Sequence, residues 1–208
     1  MVCKKLIALL AGVVVFGFAS LAMAGIPNLD NSTAVTAASQ NVSVLVCPAC
    51  DGDRLDDAQK CDGTRTDATI TLTVLDINYD PVVGYPAVDM WLVANGMCLC
   101  PNGSIADGPT DVAGQTTFSG TLCAGGCSDD SSMNVYINPY GQLTQPGLDI
   151  WVNSPDMDCN LLVNLTDVVL FAMAYYSAYD YCADFYCDGA VNLSDVVVFS
   201  THYSHTCP

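Results

Sequence analysis

The chain has 208 residues, 51% of them hydrophobic and only 13% charged, which is enough apolar material for a sizeable core. It carries 5 basic and 22 acidic residues and a formal charge of −17, and every acid is Asp, with no Glu anywhere. That balance excludes nucleic acid and anionic membranes as partners. Asp is a poor helix former that favours turns, caps and hard-cation loops, so the bias itself points towards cation binding.

Residues 1–24 read as a secretory signal peptide: Lys4 and Lys5, an apolar run from Leu6 to Phe18, then the small-residue site Ala22-Met23-Ala24. The run is short for a retained membrane anchor. Its removal leaves Arg54, Lys60 and Arg65 as the only Lys and Arg residues, and 11 of the 12 cysteines. In an exported chain these are chiefly disulfides, and the odd count leaves at least one thiol free or paired between chains. Sequence does not fix the pairing, but proximity groups Cys47 and Cys50 with Cys61, and Cys98 and Cys100 with Cys123 and Cys127. It leaves Cys159, Cys182, Cys187 and Cys207 as a last clasp.

From about Ile26 to Asn153 the pattern has period two. In "ATITLTVLD", Ile70, Leu72 and Val74 alternate with Thr69, Thr71 and Thr73, a half-buried strand. Similar strands are expected in "NVSVLVC", "AVDMWLVAN", "QTTFSGTL", "SMNVYINP" and "LDIWVNS", giving an antiparallel β-sandwich over residues 25–153. The segment "GIPNLDNSTAVTAASQ" is left open, including the possibility of a free arm that inserts into a neighbour's sheet edge. Residues 70–93 and 110–120 resemble bacterial immunoglobulin-like domains of the invasin and intimin type. Asp76, Pro81, Val82, Gly84, Pro86, Thr110, Asp111 and Gly114 carry the likeness. It implies a spacer or binding surface and no chemistry.

Beyond Asn153 the period becomes helical. "TDVVLFAMAYYSAY" and "SDVVVFSTHYSH" each open with Thr or Ser followed by Asp, good first-turn residues. A domain boundary falls near Ser154-Pro155 with almost no linker, which predicts rigid coupling. A shift of 28 residues lays Asp156–Phe171 over Asp184–Phe199 with nine of sixteen positions identical, a duplicated loop-helix unit.

A twelve-residue calcium loop supplies oxygens from places 1, 3, 5, 7 (through the carbonyl), 9 and 12. The first loop offers Asp156, Asp158, Asn160, the Leu162 carbonyl, Asn164 and Asp167. Its sixth place, where a left-handed turn is expected, is Leu161, at a cost of about 1 kcal/mol or more. The second loop has Gly189 there, but Tyr186 replaces the third ligand; Asp184, Asp188, the Ala190 carbonyl, Asn192 and Asp195 remain, with water to complete the shell. Two Ca2+ sites are expected.

The closing Asp, the Val-Asn-Leu-x-Asp ending and a helix after each loop make residues 154–208 resemble a type I dockerin, since ordinary EF-hands close with Glu. The resemblance implies the same calcium ligands and a partner-binding surface at Leu165, Thr166, Leu193 and Ser194. Leu at the tenth place stands where cellulosomal dockerins commonly carry Ser or Thr.

Other signals are weaker. Cys47-Pro-Ala-Cys50 has redox spacing without a βαβ setting, so a structural disulfide is expected there, ahead of catalysis or of zinc at Cys47, Cys50 and Cys61. His202 and His205 read as helix-end or packing residues. Asp51, Asp53, Asp56, Asp57 and Asp62 fit no cation template. Five glycosylation sequons occur, at Asn31, Asn41, Asn102, Asn164 and Asn192, the last two inside the calcium loops. No nucleophile-base pair is recognisable, and a glycosidase pair would have to be two Asp.

The sequence therefore predicts a secreted, non-enzymatic, calcium-stabilised protein: an immunoglobulin-like sandwich followed by a dockerin-like module. The expected partner is a second copy, giving an extracellular filament or surface layer. The alternative is an adhesive or carbohydrate-binding module anchored through a cohesin-like receptor.

Overall fold

The computed structural model describes residues 25–38 and 42–208; the signal peptide expected over residues 1–24 and the sequon at Asn41 lie outside the described residues. The strands are β1 (Thr33–Thr36), β2 (Val42–Leu45), β3 (Ala58–Gln59), β4 (Arg65–Thr66), β5 (Ile70–Thr73) and β6 (Met90–Val93). They continue with β7 (Met97–Leu99), β8 (Gln115–Phe118), β9 (Ala124–Gly126), β10 (Asn134–Ile137), β11 (Gly141–Gln142) and β12 (Ile150–Asn153). Two helices close the chain, α1 (Leu165–Tyr175) and α2 (Leu193–His202). The fold is thus mainly β with a small helical part at the C-terminus.

The strands form small sheets ordered β1-β5-β8, β11-β10-β6, β12-β2-β3-β4 and β7-β9. The period-two pattern decides which faces turn inward. Ile70, Leu72 and Val74 are fully buried, as are Met90, Leu92, Val135, Ile137, Val44, Ile150 and Val152, and all belong to one core. On the outward face Trp91 stacks on its cross-strand partner Tyr136 with ring centroids 4.7 Å apart. One pairing departs from the all-antiparallel expectation: β12 runs parallel to β2, Ile150 opposite Val42 and Asn153 opposite Leu45. The open N-terminal segment also finds its place. Its strand β1 pairs with β5 of the same chain, Ala34 opposite Leu72, so this stretch is not a free arm.

The disulfides correct the proximity grouping. The bonds are Cys50–Cys123, Cys61–Cys187, Cys98–Cys159, Cys100–Cys207 and Cys127–Cys182, and Cys47 is a buried thiol. Cys47 and Cys50 do not pair with each other or with Cys61, and the last four cysteines form no clasp among themselves. Each of those four reaches back to the sheets instead. Doubling a loop adds only about 0.6 kcal/mol to its closure, so nearness in sequence is a weak guide once tertiary packing brings distant cysteines together.

Four bonds therefore fasten residues 154–208 to the β region, and the packing continues across the seam. A second core of Val163, Phe171, Ala174, Ala183, Phe185 and Phe199 takes in Leu45 from β2. Phe171 stacks on Phe185 and Phe199 at 5.5 and 5.4 Å. Asn153, fully buried, donates from Nδ2 to the Asp184 carbonyl at 2.7 Å, and the Tyr181 hydroxyl bonds Ser43 Oγ at 2.8 Å. Five disulfides fit an oxidising, extracellular setting. No helix among the described residues is long and apolar enough to cross a membrane.

Candidate metal centre

Both repeated loops fold alike. The opening carboxylate turns inward and accepts backbone N–H groups from the fifth and sixth places. Asp156 takes Asn160 N at 3.1 Å and Leu161 N at 2.9 Å; Asp184 takes Asp188 N at 3.1 Å and Gly189 N at 2.9 Å. The closing carboxylate bridges the third and ninth places: Asp167 accepts from Asp158 N and Asn164 N, and Asp195 from Tyr186 N and Asn192 N. The ninth-place amides point towards the seventh-place carbonyls, Asn164 Nδ2 donating to Leu162 O at 3.0 Å and Asn192 Nδ2 to Ala190 O at 3.1 Å. The sharp turn at the sixth place is left-handed in both loops, with φ of 66° at Leu161 and 83° at Gly189. So are the fourth places, Cys159 and Cys187, at 64° and 49°.

The ninth and twelfth residues also start the helices. Asn164 Oδ1 caps Thr166 N and Asn192 Oδ1 caps Ser194 N, each at 2.8 Å, with Asp167 and Asp195 closing the capping boxes. Each helix begins at the Leu before the expected Thr or Ser. Capping alone explains the ninth and twelfth places; it does not explain the first.

Asp156, Asp167, Asp184 and Asp195 are all fully buried. Among the described residues no basic side chain is paired with them: Arg54 is spent on Asp56, Arg65 on Asp53, and His205 on Asp51. A buried ionised carboxylate without a cation is costly. Burial accordingly pushes the Asp156 carboxyl up from 3.8 to about 6, against the opposing N–H bonds from Leu161 and Asn160 and with Asp167 and Asp158 adding to it. Burial raises Asp195 as well.

The loops are not equivalent. In the first, carboxylate oxygens of Asp156, Asp158 and Asp167 converge to within 4.8 Å of one another, while Asn160 lies at the exposed rim. In the second, Tyr186 at the third place is exposed, and Asp184 instead accepts from the Tyr179 hydroxyl at 3.0 Å. Sequence reasoning missed Tyr179, which precedes the loop by five residues and follows no ligand spacing. The fifth-place Asp188 is tied to Asn192 Nδ2 at 3.0 Å. Oxygen donors alone, several of them carboxylates, are the chemistry of a hard divalent cation such as calcium, and the first loop fits it better.

The first loop rests on the β region. Gly126 N donates to the Asp156 carbonyl at 2.8 Å, and a Cβ on Gly125 would run into the Asp156 carboxylate. Gly125→Ala is therefore expected to lower stability by about 1–3 kcal/mol and to weaken calcium binding at the first loop while sparing the second. Urea unfolding with and without calcium, together with calorimetric titration, reads both effects.

The loop expected to be acidic without a template, Asp51 to Asp62, does not converge. Arg54 grips Asp56 in a two-point contact at 2.7 Å, Arg65 takes Asp53, and Asp62 caps Thr64. The four residues of the implied partner surface lie at the N-terminal ends of the two helices, Leu193 beside Tyr175 and Tyr176 at the far end of α1 from Leu165. Leu165 and Leu193 are 67% and 71% exposed, Thr166 is exposed and Ser194 half-buried. Val169, Met173 and Tyr176 extend the apolar stripe along α1, and Val197 along α2. Compared with protein-family models, with curated proteins and with solved structures, the chain has no significant match.

Proposed function

We propose that the protein is an exported, non-enzymatic structural subunit in which a dockerin-like calcium module, residues 154–208, is fixed to an immunoglobulin-like β-sandwich, residues 25–153. The observation that carries this reading is the pair of like-folded loops, each burying its opening and closing carboxylates with no basic partner among the described residues. Calcium would be held by Asp156, Asp158, Asn160, Asn164, Asp167 and the Leu162 carbonyl. In the second loop the ligands would be Asp184, Asp188, Asn192, Asp195 and the Ala190 carbonyl. The ions would offset the buried charge and hold α1 and α2 in register.

The exposed apolar stripe then serves as a docking face for the β region of a second copy. The module is strapped to its own sheets by four disulfides with that face outward, so each subunit presents donor and acceptor surfaces in a fixed relation. A rigid head-to-tail contact of this kind propagates as a filament or layer. Electron microscopy of the purified protein in millimolar calcium is expected to show regular assemblies that disperse in chelator. The double variant Leu165→Asp/Leu193→Asp should stay dispersed with its melting temperature unchanged, because both side chains are exposed. Only monomers in calcium, with a different β-protein co-purifying from the cell envelope, would replace self-assembly by anchoring to a receptor.

A further inference from the structure

A second cluster of ligating side chains lies at the seam, beside the first loop and sharing no side chain with either loop. The buried Cys47 Sγ is 3.6 Å from His205 Nδ1, and Asp51 Oδ2 is 3.1 Å from the same nitrogen. One donor atom from each of the three residues lies within 4.8 Å of the other two. From these distances we infer that Cys47, Asp51 and His205 form a binding site for a divalent transition metal of the zinc class, joining the β region to the C-terminal segment.

Three observations carry it. First, the spacing is that of ligands around a shared ion. Zinc bonds of about 2.3 Å to sulfur and about 2.0–2.1 Å to nitrogen and oxygen, at a tetrahedral angle, put S···N about 3.6 Å and N···O about 3.3 Å apart. The remaining edge closes by rotation of Asp51, whose side chain is 46% exposed. Second, sulfur and carboxylate both approach Nδ1. An acid-imidazole-thiol relay would use the two ring nitrogens at opposite ends, so the arrangement is that of converging ligands and not of a nucleophile with its base. Third, the backbones that carry Cys47 and His205 are anchored independently of the ion, and only Asp51 has to adjust. Cys47 accepts from Cys50 N at 3.0 Å across a turn whose Cys50 is bonded to Cys123. His205 accepts from Val163 N at 2.9 Å, two residues before Cys207, which is bonded to Cys100.

The donor set of one thiolate, one imidazole and one carboxylate suits zinc and is wrong for calcium, which takes oxygen alone. A tetrahedral ion would keep its fourth position on the half-exposed side, next to Asp51 and His205. Because Val163 is the eighth place of the first loop, the zinc-class ion would brace that loop directly through His205.

Titration of the disulfide-intact protein with Co2+ in excess calcium tests this. The expected result is one equivalent bound, with a thiolate-to-cobalt charge-transfer band in the near ultraviolet and intense visible bands, both removed by one equivalent of Zn2+. Cys47→Ser should abolish the charge-transfer band. His205→Asn and Asp51→Asn, at partly exposed positions, should each weaken zinc binding at least tenfold with the melting temperature in calcium unchanged, which keeps the test decisive where Cys47→Ser lowers stability. Absence of the charge-transfer band in the wild type, or zinc affinity unaffected by His205→Asn, would overturn the assignment. The charge-transfer band is read independently of the calcium loops, whose own cysteines, Cys159 and Cys187, are held in disulfides and offer no thiolate.

Discussion

Removing calcium is expected to lower the melting temperature by about 10 °C or more. At a calcium concentration 1,000-fold above its dissociation constant, one site stabilises the folded state by about 4 kcal/mol, and a chain of this size shifts by about 2–4 °C for each kcal/mol. Four disulfides hold the C-terminal part to the sheets whatever the metal does, so loss of calcium should loosen and not release the module. Hydrogen exchange in chelator should accordingly rise first in residues 156–167 and 184–195, with the core strands β5, β6 and β10 protected to higher temperature. Asp156→Ala should remove the larger share of the calcium shift, since the first loop has three converging carboxylates and the second lacks a third-place ligand. Coincident melting curves in calcium and in chelator would contradict this.

The second large effect is an inversion of pH dependence. Asp156 titrates at about 6 in the folded chain against an ordinary value of 3.8, and Asp195 is raised in the same direction. Between those values these groups hold more protons in the native state than in the unfolded one, so their contribution to metal-free stability is full below about pH 4 and is lost as pH rises through 6. The difference at Asp156 corresponds to at most about 3 kcal/mol. With calcium bound the slope reverses, because protonating Asp156 competes with the ion and affinity drops as pH falls through the same window. Urea midpoints across that range, in chelator and in calcium, should therefore slope in opposite senses. Asp156→Asn should flatten the chelator series. A chelator series whose slope between pH 4 and 6 is the same in the wild type and in Asp156→Asn would be incompatible with a carboxylate destabilised by burial.

Much of the local structure was legible in the residues. Alternation at Ile70, Leu72 and Val74 identified a strand and its buried face, because a period of two needs only neighbours along the chain. The repeat located both helices and the left-handed turn at Leu161, since loop spacing fixes backbone geometry whether or not the residue suits it. What stayed hidden depends on contacts between distant segments. The parallel pairing of β12 with β2, the reach of Cys61 to Cys187, the Tyr179 hydroxyl on Asp184 and the meeting of Cys47 with His205 have no local signature. The disulfide grouping failed for that reason: it treated the C-terminal segment as a separate body, whereas Leu45 and Asn153 build it into the β region.

Sedimentation velocity is the most direct test of the assembly itself. In millimolar calcium the wild-type protein should run as a broad distribution of large species that collapses to a single monomer boundary on chelation, and Leu165→Asp/Leu193→Asp should run as monomer in both. A wild-type protein that remains a single monomer at the highest attainable concentration in calcium would contradict a self-assembling subunit.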